Sequence, residues 1–379
     1  MRKKLLFLIA AIAVSVSGEG TSQELADEKD IEQIGIGIIV PLTGPMAASA
    51  QAFKGAAQMA LEDGAKKSRL RYKLIFEDDQ LQSKNAGTAA KKLIEQDHVS
   101  AIISTWSYGG SVVAPIAERA ETLHIGIAWA PQVAGGKFNF LNLAPPSAFL
   151  PALLEIFRVR NFETIATIVG SEAGSIYSAQ ELGRLASAMG MRVVSHVEVG
   201  FNETDFRSTL VRELKKKPDV MYINLLGGQL DTFMSQLRGL NPTIPAVIQT
   251  GLSTVSSLTP YEGFWFAADT YFPDQALEDR LVRSIGHRHT LYAANFYDSI
   301  RIIIQAFEQC SSSDRPMPTN EEILRCTKSL RTTTSIFPGA SFDQDGVLSY
   351  DSRLYTIKGG VSVPTTSEEV VASSWGALR

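Results

Sequence analysis

A short polar segment between a predicted strand and a predicted helix carries the side chains best suited to hold a ligand. Residues 101–111 read AIISTWSYGGS, an apolar strand that runs into a Ser/Gly turn, and a helix is expected over 112–121. Ser107 offers a hydroxyl, and Gly109 and Gly110 leave backbone N–H groups uncovered at the positive end of that helix. Such a turn suits a carboxylate or another oxygen-rich ligand. An ordinary strand–helix turn with N-capping serines is the alternative.

Motifs of common enzymes are missing from the sequence. It contains no G-x-x-x-x-G-K-[ST] phosphate loop, no G-x-G-x-x-G and no G-x-S-x-G nucleophile turn. His287 and His289 are interpreted as a solvated helix end rather than a metal pair, because no cysteine or carboxylate cluster accompanies them. Asp78 and Asp79 are interpreted as turn caps. We therefore expect no catalytic residue, no cofactor and no metal.

The elements that must position Ser107 alternate between strand and helix. Strands are predicted over 34–40, 72–76, 101–103, 125–128 and 138–143, with helices over 47–67 and 83–94 between them. After Pro145 and Pro146 the alternation restarts, with helices over 150–159, 175–189, 205–216 and 229–239 and strands over 165–169, 192–199, 220–224, 246–249 and 264–268. Such alternation predicts an α/β protein with parallel sheets covered on both faces.

The last third of the chain is too short for another lobe. It carries predicted helices over 277–288, 292–308 and 321–330 and two short strands over 346–350 and 355–358. These elements are expected to complete the first two lobes, so that the chain crosses between the lobes more than once. Several crossings make a hinge, and ligands of parallel α/β lobes lie at the carboxyl ends of the strands. We therefore expect a cleft that closes on a small molecule.

The first 18 residues have the features of an export signal. Arg2, Lys3 and Lys4 precede a short apolar run, and small residues follow near Gly18. An uncleaved anchor is the alternative; no cysteine follows that would carry a lipid. Cleavage removes three of the 36 basic residues and none of the 40 acidic ones, which changes the net charge from −4 to −7. We expect a soluble periplasmic monomer that does not bind nucleic acid.

The two cysteines of the chain, Cys310 and Cys326, flank a polar loop between two predicted helices. Disulfides persist in exported proteins, so we predict a bridge between them, with two free thiols as the alternative.

Several segments, taken in order, resemble the leucine/isoleucine/valine-binding protein family, the extracytoplasmic solute receptors of ATP-binding-cassette transporters. They are IIVPLTGP at 38–45, KGAA at 54–57, EDD at 77–79, the serine turn at 107–115, YAANFYD at 292–298 and FDQDG at 342–346. The resemblance extends over residues 34 to about 360.

That resemblance implies the type I periplasmic-binding fold, two Rossmann-like lobes joined by a three-segment hinge. Lobe 1 is then expected to comprise 33–146 and 272–337, lobe 2 to comprise 147–271 and 338–363, and 364–379 to form a C-terminal tail. It also implies a small-molecule ligand and a membrane permease as partners.

The resemblance further implies a set of ligand-binding residues. Ser107 corresponds to the residue that holds the ligand carboxylate. The other expected site residues are Ser49, Trp106, Tyr108, Ala128, Trp129, Ala130, Glu172, Tyr177, Leu226, Thr250 and Tyr292. Tyr177, Tyr292 and Trp129 are equally consistent with ordinary packing aromatics.

One position departs from the family pattern. Amino-acid binders of the family carry an acid near residue 250 that pairs with the ligand ammonium, whereas this sequence reads Gln249-Thr250-Gly251. A buried ammonium without a counter-charge is costly. Either another acid, with Glu172 as the candidate, takes this role, or the ligand is an amide, a urea-like solute or an aromatic carboxylate.

The sequence thus predicts a solute receptor that binds an amino acid or a related carboxylate or amide and delivers it to an ABC-type permease. A sensor subunit of the same fold that signals to a membrane kinase or chemoreceptor is the first alternative. An exported hydrolase is the second, and no motif supports it.

Overall fold

The computed structural model describes residues 33–66, 68–268, 275–286, 290, 292–312, 317–331, 340–349 and 353–373, without the side chains of residues 250, 253, 268 and 349. The predicted export signal, His287 and His289 lie outside the described residues.

Lobe 1 is built on a five-stranded parallel sheet. Its strands are β1 (Gln33–Val40), β2 (Arg71–Asp78), β3 (Ala101–Thr105), β4 (Leu123–Ile127) and β5 (Asn139–Leu141), in the order β2-β1-β3-β4-β5. All residues of β3 and β4 are buried, as expected for strands covered on both faces. The strand order reverses between β1 and β3, and ligands of doubly wound sheets bind at such a switch point. Ser107 follows β3 there.

Lobe 2 repeats this arrangement with four parallel strands. They are β6 (Thr164–Gly170), β7 (Arg192–Val199), β8 (Val220–Asn224) and β9 (Ala246–Ile248), in the order β7-β6-β8-β9. The order reverses between β6 and β8, so Glu172 and Leu226, which follow these two strands, lie at the second switch point.

Helices cover both sheets. In chain order they are α1 (Ala47–Ala65), α2 (Ser83–Glu95), α3 (Trp106–Arg119), α4 (Pro146–Val159), α5 (Ala173–Ala188), α6 (Arg207–Leu214), α7 (Gly227–Leu240), α8 (Gln275–Ile285), α9 (Ala293–Cys310), α10 (Asn320–Ser329) and α11 (Ser367–Ala372). Short 3-10 turns occupy Pro131–Ala134, Thr250–Ser253 and Thr259–Tyr261.

The element order takes the chain between the lobes three times. It leaves lobe 1 after β5 and enters lobe 2 at α4, which packs on α5. It returns with α8 and α9, which both pack on α1, and the rings of Phe53 and Phe296 stack 4.7 Å apart between α1 and α9. It crosses again to β13 (Arg353–Lys358), which pairs with β10 (Trp265–Ala268). The predicted two-lobed α/β architecture is confirmed, while the residue boundaries that we assign to the lobes stay a prediction.

The last described residues, 361–373, include a strand and a helix. Strand β14 (Val361–Thr365) pairs with β13, and α11 follows it. Val370 of α11 is buried against α4, and the Arg160 guanidinium donates a 3.1 Å bond to its carbonyl oxygen. A two-stranded hairpin of β11 (Ser341–Phe342) and β12 (Leu348–Ser349) precedes them. Residues 361–372 thus form a strand and a helix that contact other elements, while the boundary of the C-terminal tail at 364 stays a prediction.

The predicted disulfide is present. Cys310, the last residue of α9, is bonded to Cys326 of α10, with 6.1 Å between their Cα atoms. The bridge closes a loop of 16 residues and fixes α10 to the longest helix of the last third.

Two helices begin four or more residues earlier than predicted. The helix expected from residue 150 starts at Pro146, because proline is well suited to the first helical position. The helix expected from residue 112 starts at Trp106, whose φ of 54° turns the chain sharply out of β3. Ser107, Gly109 and Gly110 therefore lie within the first five residues of the helix rather than in a turn before it.

Candidate ligand-binding site

The amino end of α3 presents backbone donors to the cleft. The first N–H groups of an α-helix have no partner within the helix, and they carry the positive end of its dipole. Thr105 precedes the helix but does not cap it, because its hydroxyl donates to the Ile39 carbonyl oxygen at 2.8 Å. This end of α3 thus retains its capacity to bind an anion.

Ser107 adds a hydroxyl to these donors. The Ser107 side chain is 2% exposed, and its oxygen accepts a 3.2 Å hydrogen bond from the Ala130 N–H. Since that bond uses a lone pair of the oxygen, the hydroxyl proton is free to be donated to a second group. Ala130 therefore orients the hydroxyl that a carboxylate would meet.

Glu172 occupies the corresponding position in lobe 2. Its carboxylate caps α5, accepting hydrogen bonds from the Gly174 N–H at 2.7 Å and the Ser175 N–H at 2.6 Å. The residue is partly exposed, but burial of the carboxyl group raises its pKa, an effect that the two N–H bonds counter only in part. Ordinary capping thus explains where this acid lies, and its remaining lone pairs stay available to a cation.

A small cavity joins these two helix ends. It is lined by Trp106, Ser107, Ala128, Trp129, Leu143, Glu172, Gly174, Ser175, Leu226 and Tyr292. We call it the cleft cavity. About 10 Å³ of it is open to the centre of a water molecule, room for about one water, so a larger guest enters only when the lobes separate.

Seven of the twelve expected site residues line the cleft cavity: Trp106, Ser107, Ala128, Trp129, Glu172, Leu226 and Tyr292. Tyr292 is 4% exposed and precedes α9 with a φ of 55°. Aromatic rings thus cover much of the wall, and Glu172 is the one charged group among the described residues that line it.

The other five expected residues lie elsewhere. Ser49 is buried in α1. Ala130 is not part of the cavity lining, but its N–H donates to the Ser107 hydroxyl oxygen. Tyr108 donates its hydroxyl to the Asp79 carboxylate at 2.8 Å. Tyr177 lines a larger, separate cavity. The side chain of Thr250 lies outside what the structure describes.

The sequence did not indicate three of the residues that line the cleft cavity: Leu143, Gly174 and Ser175. The two small residues open α5 after strand β6, as Ser107 and Gly109 open α3 after β3. That internal similarity between the lobes was the signal that would have identified them.

The carboxylate beneath α3 is buried and accepts two hydrogen bonds. Asp79 is fully buried, accepts bonds from Tyr108 and from the Leu81 N–H, and has its pKa raised by burial to about 6. Asp78 beside it is partly exposed and accepts a 2.6 Å hydrogen bond from the Thr43 hydroxyl. The two acids cap turns, as the sequence predicted, and Asp79 also positions Tyr108 at the first turn of α3.

Lobe 1 also contains a serine–histidine–asparagine chain that the sequence did not indicate. The Ser104 Oγ lies 2.8 Å from Nε2 of His124, and the His124 Nδ1 lies 2.7 Å from Oδ1 of Asn139. The three residues are each at most 2% exposed, and burial lowers the pKa of His124 to about 4. No substrate reaches a serine at this depth, so the chain is a satisfied polar network of the core.

The described residues offer neither a cluster of metal ligands nor a membrane-spanning helix. They contain no group of three or more His, Cys, Asp or Glu side chains placed to hold a metal ion. Within the same ranges, no helix combines the length and the apolar character needed to cross a membrane.

Comparison with known proteins relates this geometry to a family. The model of the periplasmic binding protein family matches residues 33–361. No curated protein matches the sequence.

Solved structures share the fold across most of the chain. A leucine-binding protein from Thermotoga maritima has a TM-score of 0.74 at 18% identity, over 88% of this chain and 98% of that one. A solute-binding protein from Rhodopseudomonas palustris in complex with benzoate has a TM-score of 0.76 at 15% identity, over 88% and 95%. A branched-chain amino acid binding protein from Streptococcus pneumoniae in complex with isoleucine has a TM-score of 0.73 at 16% identity, over 88% and 99%.

Proposed function

The chain belongs to the periplasmic binding protein family, and we propose that it is a receptor that binds an α-amino acid with an apolar side chain and delivers it to an ABC-type permease. The observation that carries this proposal is that Ser107 of lobe 1 and Glu172 of lobe 2 line one cavity.

The carboxylate of the ligand is assigned to the amino end of α3. The Ser107 hydroxyl and the N–H groups of the first helical turn are donors, and the helix dipole adds to them. No lysine or arginine is required, since hydrogen bonds to a charged group are strong in a buried site.

The ammonium group of the ligand is assigned to Glu172. A buried carboxylate with a raised pKa lacks full compensation of its charge, and an ammonium nearby would supply it. Glu172 is the one charged group among the described lining residues, so it takes the role that other members of the family give to an acid near residue 250. A zwitterionic amino acid would thus bind lobe 1 through its carboxylate and lobe 2 through its ammonium group.

The side chain of the ligand is assigned to the aromatic wall. Trp106, Trp129, Leu226 and Tyr292 line the cleft cavity, and they favour an apolar group by burial of its surface. Contacts from both lobes exist only when the lobes are together, so ligand binding shifts the population toward the closed form. That closed form is what the permease would recognise.

An aromatic carboxylate is the second candidate ligand. The two tryptophans and the tyrosine of the wall favour it, and one solved neighbour of the fold is a complex with benzoate. Such an anion would place a second negative charge beside Glu172, so it requires Glu172 to be protonated. The two candidates therefore differ in the direction of their pH dependence.

A thermal-shift screen tests the function. The purified protein is heated with each of the twenty amino acids, their amides and a set of aromatic acids. An apolar amino acid should stabilise the protein by about 2.7 kcal/mol at 100 times its Kd. If only aromatic acids stabilise the protein, the second candidate ligand is favoured. If no compound stabilises it, the proposed receptor function is wrong.

Delivery to a permease and export to the periplasm need a cellular test. Cells without the gene should no longer take up the radiolabelled ligand that the screen identifies, and restored expression of the gene should restore this uptake. The protein should be found in the periplasmic fraction without residues 1–18. Normal uptake with loss of a transcriptional response to the ligand would instead support the sensor.

A further inference from the structure

A second cavity of about 650 Å³ lies beside the cleft cavity. We call it the hinge groove. Its lining includes Trp129 and Phe140 of lobe 1, Tyr177 and Pro145 near lobe 2, and Val347 of the hairpin segment. Cavities of this size hold small molecules elsewhere. Nothing assigned so far to the ligand uses this space.

Trp129 is the one residue, within the described part of the chain, that lines both cavities. It follows β4, is 3% exposed, and packs against Phe149 with 6.0 Å between ring centroids. Its Cε3 atom lies 3.7 Å from the position of a Cβ on Gly174. The indole therefore lies between the small space at the helix ends and the larger one at the hinge.

The interior of the hinge groove is suited to an apolar group. Phe140, Leu141, Ala144 and Leu348 are buried residues of its wall, and Tyr177 adds a half-buried ring. Its exposed mouth carries two lysines and two aspartates: Lys137, Lys328, Asp343 and Asp345. Because the signs balance at the mouth, the groove has no preference for a net charge.

We propose that the Trp129 indole is a partition that sets the length of side chain the receptor accepts. This inference rests on the proposed function. With the indole present, the ligand side chain ends at the ring. With the indole removed, the cleft cavity opens into the hinge groove, and the distal ring of a longer apolar side chain enters it.

Calorimetric titration of the purified protein with L-phenylalanine and 4-phenyl-L-phenylalanine tests the partition. In Trp129→Ala the affinity for the longer amino acid relative to the shorter one should rise roughly tenfold to a hundredfold, the gain expected from burying an aromatic ring. Tyr177→Ala is the matched control, because Tyr177 lines the hinge groove alone and the ligand does not reach that groove while the Trp129 indole is present. Its ratio should stay that of the wild type. Trp129→Leu, which keeps an apolar core, should show the same shift if Trp129→Ala does not fold.

A neutral probe separates this inference from the proposed function. The fluorescent compound 2-naphthol has no carboxylate or ammonium, so its binding does not depend on Ser107 or Glu172. It should bind Trp129→Ala or Trp129→Leu at least about tenfold more tightly than it binds the wild type or Tyr177→Ala, because the two cavities are then continuous. Tighter binding of 2-naphthol to the Trp129 variants, without binding of either amino acid, would uphold the partition and refute the amino-acid ligand. Folded Trp129 variants that bind 2-naphthol no more tightly than the wild type does and keep the wild-type ratio would overturn the partition.

Discussion

The hydroxyl oxygen of Ser107 lies 3.3 Å from the position that a Cβ atom would take on Gly174. The two residues belong to different lobes, and each lies in the first turn of a helix that follows a central strand. The absence of a side chain on residue 174 therefore allows the two helix ends to meet.

A methyl group at position 174 should hinder closure. Gly174→Ala would also place its Cβ 3.0 Å from Oε2 of Glu172, so the neighbours must shift, at a cost of about 1–3 kcal/mol in ligand binding. Calorimetric titration measures this loss, and small-angle scattering should show less compaction on addition of ligand.

Gly183→Ala is the matched control on the same helix. Its Cβ would meet Val193 at 3.6 Å, an ordinary contact, so affinity should not change. The free energy of unfolding should rise by about 0.5–1 kcal/mol, because alanine is favoured over glycine within a helix. Equal effects of the two substitutions on affinity would show that Gly174 has no special part in closure.

Removal of the Ser107 hydroxyl should weaken binding of the ligand identified by the screen. Ser107→Ala takes away a donor to a charged group, which is worth about 1.5–3 kcal/mol. Ser111→Ala, one turn further along α3 and outside the cleft cavity, should leave the affinity unchanged. Wild-type affinity of Ser107→Ala in an equilibrium titration would remove Ser107 from the site.

Glu172→Gln distinguishes the two candidate ligands. For an amino acid, loss of one partner of a buried charge pair should cost about 3–5 kcal/mol of binding. Wild-type affinity for the amino acid should also fall as the pH is lowered, because protonation of a carboxyl whose pKa is raised removes the partner of the ammonium.

An aromatic carboxylate should show the opposite behaviour in both experiments. Its affinity should rise as the pH falls, and its affinity should not decrease in Glu172→Gln. Glu181→Gln on the same helix is the control, because Glu181 pairs with Arg184 outside the cleft cavity. Titrations at several pH values read out the direction, and amino-acid binding that strengthens toward acid pH would contradict the role of Glu172.

The pH dependence of stability should contain two opposing contributions. Burial lowers the pKa of His124 from 6.5 to about 4, so the unfolded chain binds the proton first and stability is lost as the pH falls from 6.5 toward 4. Burial raises the pKa of Asp79 from 3.8 to about 6, so stability is lost as the pH rises through the same interval. Each contribution is about 3 kcal/mol, and they largely cancel.

Single substitutions should reveal each contribution. Between pH 4.5 and 6 the free energy of unfolding should increase with pH in Asp79→Asn and decrease with pH in His124→Gln. Urea denaturation at four pH values measures both slopes. Parallel pH profiles of the two variants would contradict the burial effects that we assign to these groups.

The disulfide should contribute to the stability of lobe 1. The Cys310–Cys326 bond closes a loop of 16 residues, and replacement of both cysteines by serine should lower the free energy of unfolding by about 3 kcal/mol. Denaturant titration of the variant and the wild type checks this, and reduction of the wild type should give the same loss. An unchanged midpoint would show that the helices α9 and α10 hold the loop without the bond.

Much of the fold was predictable from the sequence because local patterns determine it. Buried apolar strands alternate with helices, and the strand ends that carry Ser107 and Glu172 were located within a residue or two. The bridge between the two cysteines was also predictable. The start of α3 was not, because a tryptophan with a φ of 54° is an uncommon way to open a helix.

Which residues line each cavity, and which buried side chains pair, depends on packing that a single sequence does not show. Tyr177 lies two residues after Ser175, and about 200° of helical rotation directs the two side chains to different cavities. The pairing of Ser104 with His124 required knowledge of the register between β3 and β4, where Ser104 lies beside Gly126. Packing between elements, rather than local pattern, decided both cases.

One calorimetric experiment tests the central assignment, in which Ser107 holds a carboxylate and Glu172 holds an ammonium. The protein is titrated with two matched series, L-leucine, 4-methylpentanoate and 3-methylbutylamine, and L-phenylalanine, 3-phenylpropanoate and 2-phenylethylamine. In at least one series the amino acid should bind roughly a hundredfold tighter than either compound that lacks one charged group. Equal or tighter binding of an acid or amine that lacks its partner group, or no binding in either series, would contradict the account.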